Sequence, residues 1–85
     1  MARYSLEFKR SIAKDVAAIP KRDLQRIMER IEALRDDPRP PGCVKLSGQE
    51  YYRIRQGNHR IVYEVIDDRL VVVVIAVGHR RETDR

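Results

Sequence analysis

The chain lacks the features that would direct it to a membrane or an oxidising compartment. Its 85 residues include one cysteine, Cys43, which excludes an internal disulfide and favours a reducing compartment. The longest apolar run, Leu70 to Val77, has the length of a strand and is too short to span a bilayer. No secretory signal follows Met1, and no helical segment combines a basic face with large aromatic side chains. We therefore expect a cytoplasmic protein with no membrane partner.

Groups for metal binding and proton transfer are also scarce. No set of histidine, cysteine and carboxylate residues occurs at the spacing of metal ligands, so we expect neither a metal nor another cofactor. His59 and His79 are the only side chains that titrate near neutral pH without perturbation. The length is enough for one small domain, residues 1–85, with a modest core.

Positive charge is what the chain has in excess. The formal net charge is +5 and the sequence pI is about 9.8, which points to nucleic acid or an acidic protein as partner. Arg53 and Arg55 alternate with apolar residues, so they project from one face of a predicted strand. A Gly57–Asn58 turn then returns the chain and brings Arg60 to the same end of the sheet.

Three guanidinium groups on one rigid face repel one another and add nothing to a core. Their planar, forked donors suit phosphate oxygens, which favours a polyanion as ligand. The alternative is a solvated sheet face with salt bridges to Glu50 or Glu64. A row of arginines on the second predicted helix is likewise either solvated surface or a contact for RNA or a protein partner; its members are Arg22, Arg26 and Arg30.

The apolar periodicity predicts an α+β fold in the order β-α-α-β-β-β. An alternating segment at Tyr4–Phe8 indicates a first strand, and two helical stripes joined at Pro20 indicate a helical hairpin. The hairpin is expected to pack on a small, mainly antiparallel sheet. After a proline-rich connector come Val44 to Leu46 and a predicted Ser47–Gly48 turn. The three later strands are predicted at Tyr51 to Gln56, Arg60 to Ile66 and Leu70 to Val77. The last is a continuous apolar run in which most residues are β-branched, which predicts a central strand buried on both faces.

Element order and motifs together resemble the RelE/ParE superfamily of bacterial and archaeal toxins. The segments that carry the resemblance are DPRPPGCVKLSG, YYRIRQGNHRIVYEV and VVVVIAVGHRRE, which with the element order cover nearly the whole chain. The resemblance implies a metal-independent, ribosome-dependent endoribonuclease that cleaves mRNA codons in the ribosomal A site. In that reaction the 2′-hydroxyl attacks the adjacent phosphorus and leaves a cyclic phosphate and a free 5′-hydroxyl.

The same resemblance implies which residues act. The catalytic positions of the family fall here on Arg53, Arg55, Arg60 and Arg80, the first two often being lysine in RelE members. A tyrosine that usually follows the last arginine is absent, since Thr83 to Arg85 occupy that stretch. We therefore assign His79 as candidate acid or base. The residues expected to contact RNA are Lys45, Tyr52, His59, Tyr63 and Arg81, with the tyrosines able to stack on bases.

The partners implied are the ribosome, mRNA and a cognate RelB-like antitoxin, with operator DNA bound only through the antitoxin complex. Two rival functions remain open. ParE relatives share the fold but inhibit DNA gyrase and cut nothing. A degenerate member would bind only its antitoxin.

Overall fold

Two helices lie against one face of a five-stranded mixed sheet in this computed structural model, which describes residues 3–46, 48 and 50–79. The strand order is β1-β5-β4-β3-β2, with β1 parallel to β5 and the other neighbours antiparallel. The strands are β1 Ser5–Phe8, β2 Val44–Lys45, β3 Tyr51–Gln56, β4 His59–Ile66 and β5 Val71–His79; the helices are α1 Ile12–Ala17 and α2 Lys21–Ala33. The α+β prediction is confirmed, and the two-residue β2 adds one short strand to the expected order.

Pro20 separates the helices as the sequence predicts. It lies at the N-cap of α2 with an extended backbone, and its fixed φ allows the next residue to begin a helix. Ile27 and Ile31 of α2 are fully buried against β3 and β4. Met28 departs from the predicted apolar stripe, because it lies at the edge of the stripe and remains 40% exposed.

The core occupies the layer between the helices and the sheet. It is built from alternate residues of the strands, among them Ile54, Ile61, Val65 and Val72, together with the buried helix positions. The described part contains no helix that could cross a membrane.

β5 is an interior strand but not the central one, which corrects the prediction from its apolar run. It lies between β1 and β4, while β4 occupies the middle of the sheet. Val72, Val74 and Val77 are buried, whereas Val73 is only half-buried, because the helices cover just one face.

A bulge in β5 decides which residues share a face near its end. Val62 is opposite Ala76 and Tyr63 is opposite Val74, so Ile75 is the extra residue. The alternation therefore shifts by one, and His79 joins the helix-covered face instead of the opposite one.

Candidate RNA-binding face and its surroundings

The β3–β4 hairpin places three arginines on the sheet face opposite the helices. Arg55 lies directly opposite Arg60, and Arg53 lies opposite Val62, so all three side chains share that face. The two-residue turn between the strands begins with Gly57 at φ 61°, as a type II′ turn requires. Like charges directly opposite each other destabilise a sheet, which makes the Arg55–Arg60 pair hard to explain by stability alone.

The three arginines, named here the arginine face, differ in exposure. Arg55 is exposed and Arg53 half-buried, whereas Arg60 is only 6% exposed. On its other side Arg60 is opposite Gly78 of β5, which has no side chain to compete for the same space. The arginine face therefore combines the buried side chain of Arg60 with the exposed side chain of Arg55.

His59 and His79 face the other way, toward α1. They are directly opposite each other on β4 and β5, and their ring centroids are 6.2 Å apart in an edge-to-face arrangement. Both border a cavity of about 310 Å³ that Lys14 and Asp15 also line. The Asp15 carboxylate accepts a hydrogen bond of 3.0 Å from the backbone N–H of Val77, which links α1 to the end of β5. His79 and the arginine face thus lie at the same end of the sheet but on opposite faces of it.

Tyr52 and Tyr63 lie in the core and not on the arginine face. Their rings stack at 5.8 Å, and they are 6% and 0% exposed. The Tyr63 hydroxyl donates a 2.6 Å hydrogen bond to the carbonyl oxygen of Pro38, and burial raises the pKa of this phenol. Neither ring offers a surface on which an RNA base can stack, because alternation along β3 and β4 turns both toward the helices.

Lys45 projects from the edge strand β2 and is held by a carboxylate. Its ammonium lies 3.0 Å from the Glu50 carboxylate, whose hydrogen bond raises the pKa of Lys45. Glu50, one of the two proposed partners for the arginines of the hairpin, is thus engaged by Lys45 and by Arg39. Hydrogen bonds from Lys45, then Tyr52 and Arg39, lower the pKa of Glu50 from 4.5 to about 2.

Arg39, in the proline-rich connector, forms a network that sequence reasoning missed. Its guanidinium binds both carboxylate oxygens of Asp67, at 3.2 and 2.8 Å, and Glu50 at 2.9 Å. The Nε of Arg39 donates a hydrogen bond of 2.9 Å to the Tyr52 hydroxyl. The guanidinium carbon, Cζ, lies 5.0 Å from the centroid of the same ring, in a cation–π contact. The Tyr4 hydroxyl donates to Asp67 at 2.7 Å. This Arg39 network joins the connector, the residue before β1, β3 and the turn after β4. The connector has no apolar periodicity, so the sequence gave no signal for the network.

Two predicted positions, Arg80 and Arg81, lie outside the described residues, as does Ser47 of the predicted Ser47–Gly48 turn. Within the described part, no three histidine, cysteine or carboxylate residues are grouped so that they could hold a metal ion.

Comparison with known proteins identifies the family. Residues 3–83 match the family described as the ParE toxin of the type II toxin–antitoxin system, parDE. The chain belongs to the RelE/ParE superfamily of toxins. A putative RelE-like toxin protein of Escherichia coli is 33% identical in an alignment 85 positions long, and the match covers 96% of this chain and 88% of that protein. The mRNA interferase toxin RelE of E. coli K12 is 39% identical over 44 residues, covering 52% of this chain and 40% of that protein.

Solved structures of RelE toxins share the fold. A mutant E. coli RelE in the free state superposes with a TM-score of 0.80 at 28% identity, covering 99% of this chain and 90% of that one. The RelB–RelE antitoxin–toxin complex from Methanococcus jannaschii contains a chain with a TM-score of 0.73 at 30% identity, covering 89% of this chain and 92% of that one. The superfamily resemblance seen in the sequence is confirmed.

Proposed function

We propose that this RelE/ParE toxin is a ribosome-dependent mRNA endoribonuclease that a cognate antitoxin neutralises. The observation that carries the proposal is the arginine face, in which Arg55 and Arg60 lie directly opposite each other and Arg53 follows two residues away. Such a cluster weakens the sheet unless it binds an anion, and guanidinium forks match phosphate oxygens.

The chemistry assigned to the arginine face is stabilisation of charge at phosphorus. A bond forms from the 2′-oxygen to phosphorus while the bond to the 5′-oxygen breaks, which yields a cyclic phosphate and a 5′-hydroxyl. Arg53, Arg55 and Arg60 supply fixed donors to the phosphate oxygens as negative charge develops, and Arg80 is proposed to join them. Arginine remains protonated and makes a poor general base, so proton transfer falls to another group.

His79 is the proposed proton-transfer group, acting at the end of the sheet beyond Gly78. Its ring faces α1, so the RNA must pass around the end of β5 to reach it, with His59 beside it. Lys45 and Arg81 are proposed to bind the RNA backbone. Lys45 must exchange Glu50 for phosphate to do so, and its raised pKa keeps it cationic. Tyr52 and Tyr63 are left out of this proposal because both rings are buried.

The proposed protein partner is a small antitoxin whose acidic segment covers the arginine face. RelE chains of similar fold occur in complex with RelB antitoxins, which supports this partner. Binding of operator DNA is assigned to the toxin–antitoxin complex and not to the toxin alone.

The decisive experiment is induction of the toxin in cells, followed by mapping of mRNA 5′ ends. Wild type is expected to produce cuts inside translated codons, and Arg60→Ala and Arg55→Ala to abolish them. Arg55 is exposed, so its substitution tests function with little risk to folding. Arg10→Ala removes an exposed arginine next to β1, at the opposite edge of the sheet, and should retain cleavage.

Inhibition of DNA gyrase is the second candidate function. The match of residues 3–83 to the ParE toxin family specifically favours it. Intact mRNA together with DNA damage after induction would establish this candidate in place of the nuclease. An absence of any toxicity from wild-type protein would instead indicate a member that only binds its antitoxin.

A further inference from the structure

A cleft on the β2 side of the sheet extends the arginine face toward α2. It has a volume of about 380 Å³ and is lined by Arg30, Gly42, Val44, Arg53 and Arg55. β2 begins at Val44, opposite Arg53, so β2 does not cover β3 beyond that point. Arg30 from the last turn of α2 thereby comes to the same opening as two arginines of the sheet.

Among the described residues, no carboxylate lines this cleft. In the salt bridges found among the described residues, the cations are Arg3, Arg35, Arg39 and Lys45. Within the same part, the side chains of Arg30 and Arg55 form neither a salt bridge nor a hydrogen bond. Arg30 and Arg55 therefore contribute a local positive potential that no carboxylate of the described part offsets by an ion pair.

The neighbouring depression differs in this respect. It is lined by Arg26, Glu29, Arg30, Ala33 and Gln56, so it has one carboxylate beside its two arginines. The cleft toward β2 is the more cationic of the two.

The backbone at Gly42 leaves the cleft open. Its φ of 91° favours glycine, and a Cβ at this position would meet no atom within 4 Å. A backbone of sugar and phosphate groups can therefore approach the chain closely at this point.

We propose that the cleft between Arg30, Arg53 and Arg55 is a second phosphate-binding subsite, which holds the RNA backbone next to the nucleotide that is cleaved. The inference rests on the proposed function and adds Arg30 to the residues that bind RNA. The RNA strand then runs from Arg60 across Arg55 and over the edge of β3 to α2. Phosphate is the preferred ligand because planar guanidinium forks match its oxygens. Arg53 and Arg55 each have five N–H donors, so they can contact this phosphate as well as the one that reacts.

The test is the salt dependence of binding to a fluorescent 12-nucleotide single-stranded RNA. Each phosphate contact on single-stranded RNA contributes a slope of about −0.7 to the plot of log K against log salt. Arg30→Gln should therefore reduce the slope by about 0.7, which corresponds to roughly fivefold weaker binding at 0.1 M salt. Arg30→Lys should keep most of the slope, because it retains the charge.

Arg10→Gln is the matched control. It makes the same charge change at an exposed arginine beside the opposite edge of the sheet, and it should leave the slope unchanged. Circular dichroism of all variants checks folding, which is expected to persist because Arg30 is half-exposed.

A double-mutant cycle separates one shared subsite from general attraction. If Arg30 and Arg55 hold the same phosphate, Arg30→Gln and Arg55→Gln together should lose less affinity than the sum of the single losses. Equal effects of Arg30→Gln and Arg10→Gln, or strict additivity with Arg55→Gln, would overturn the subsite. So would a larger loss of affinity for a 12-residue polyglutamate peptide than for RNA, which would assign the cleft to an acidic protein.

These measurements use free RNA and do not depend on cleavage. Failure of the subsite therefore leaves the nuclease proposal to be decided by the mapping of mRNA ends.

Discussion

Replacing Arg39 with glutamine should destabilise the domain more than replacing an arginine whose ion pairs are exposed, such as Arg3. Arg39 is the centre of a network that joins Asp67, Glu50 and Tyr52, and its side chain is 37% exposed. A hydrogen bond to a charged group contributes about 1.5–3 kcal/mol, and an exposed ion pair 0–1 kcal/mol. For this partly exposed network we expect a loss of about 2 kcal/mol in the free energy of unfolding.

Thermal unfolding followed by circular dichroism measures the loss. In a domain of this size 1 kcal/mol corresponds to about 4–8 °C, so Tm should fall by roughly 8–16 °C at pH 7. Arg3→Gln is the matched control, because Arg3 is 52% exposed and pairs only with exposed carboxylates. Its Tm should change by no more than a few degrees.

The effect of Arg39→Gln should also depend on pH. The folded protein holds the pKa of Glu50 at about 2, below its ordinary 4.5, and Arg39 lowers the pKa of Asp67 as well. A carboxylate with a depressed pKa contributes stability above its unfolded pKa and loses that contribution as pH falls through the folded pKa. The difference in Tm between wild type and variant should therefore be constant near neutral pH and shrink between about pH 4.5 and pH 2. A Tm difference that equals that of Arg3→Gln, or that persists unchanged at pH 2, would refute the role given to the network.

Three further predictions concern the proposed reaction. Arg53→Lys should weaken salt-dependent binding to ribosomes less than Arg53→Ala, because lysine keeps the charge but loses the fork; equal losses would contradict a phosphate contact. His79→Gln should slow single-turnover cleavage of A-site mRNA with unchanged affinity for the ribosome, whereas an unchanged rate would remove His79 from the chemical step. Cleavage on purified ribosomes should survive EDTA if enough magnesium remains to hold the ribosome together; loss of cleavage that added zinc or manganese restores would show that the enzyme needs a metal.

Sequence reasoning found the elements and the arginine face because both depend on local periodicity. Alternation at Arg53 and Arg55 sets their face, and the two-residue turn at Gly57 fixes the register that brings in Arg60. The helical hairpin followed in the same way from its apolar stripes and from Pro20.

The orientation of His79 could not be predicted, because it depends on the bulge at Ile75. In a run of valines and isoleucines every register is equally apolar, so the sequence does not show where the alternation shifts. The shift places His79 beside His59 and under α1, away from the arginines that precede it in the sheet.

The Arg39 network was missed for a different reason. Its members come from four separate segments, and the contacts among Arg39, Glu50 and Asp67 depend on how the connector folds back over the end of the sheet. The place of Tyr52 could not be predicted for the same reason. The sequence suggests a contact with RNA, whereas the Tyr52 hydroxyl forms its hydrogen bonds with Arg39 and Glu50 inside this network.

The distribution of carboxylates in the described part separates the cations that form ion pairs within the fold from those proposed to bind RNA. Glu50 and Asp67 neutralise Arg39 and Lys45 at one end of the sheet. Two other cations differ: Arg55 on the arginine face and Arg30 across the cleft have no carboxylate in ion-pair contact within the described part of the chain. Arg55 and Arg60 place two cations directly opposite each other, and a fold of this size has little stability to offset such a pair. The Arg39 network thus contributes to stability, whereas the arginine face is the surface proposed to bind phosphate.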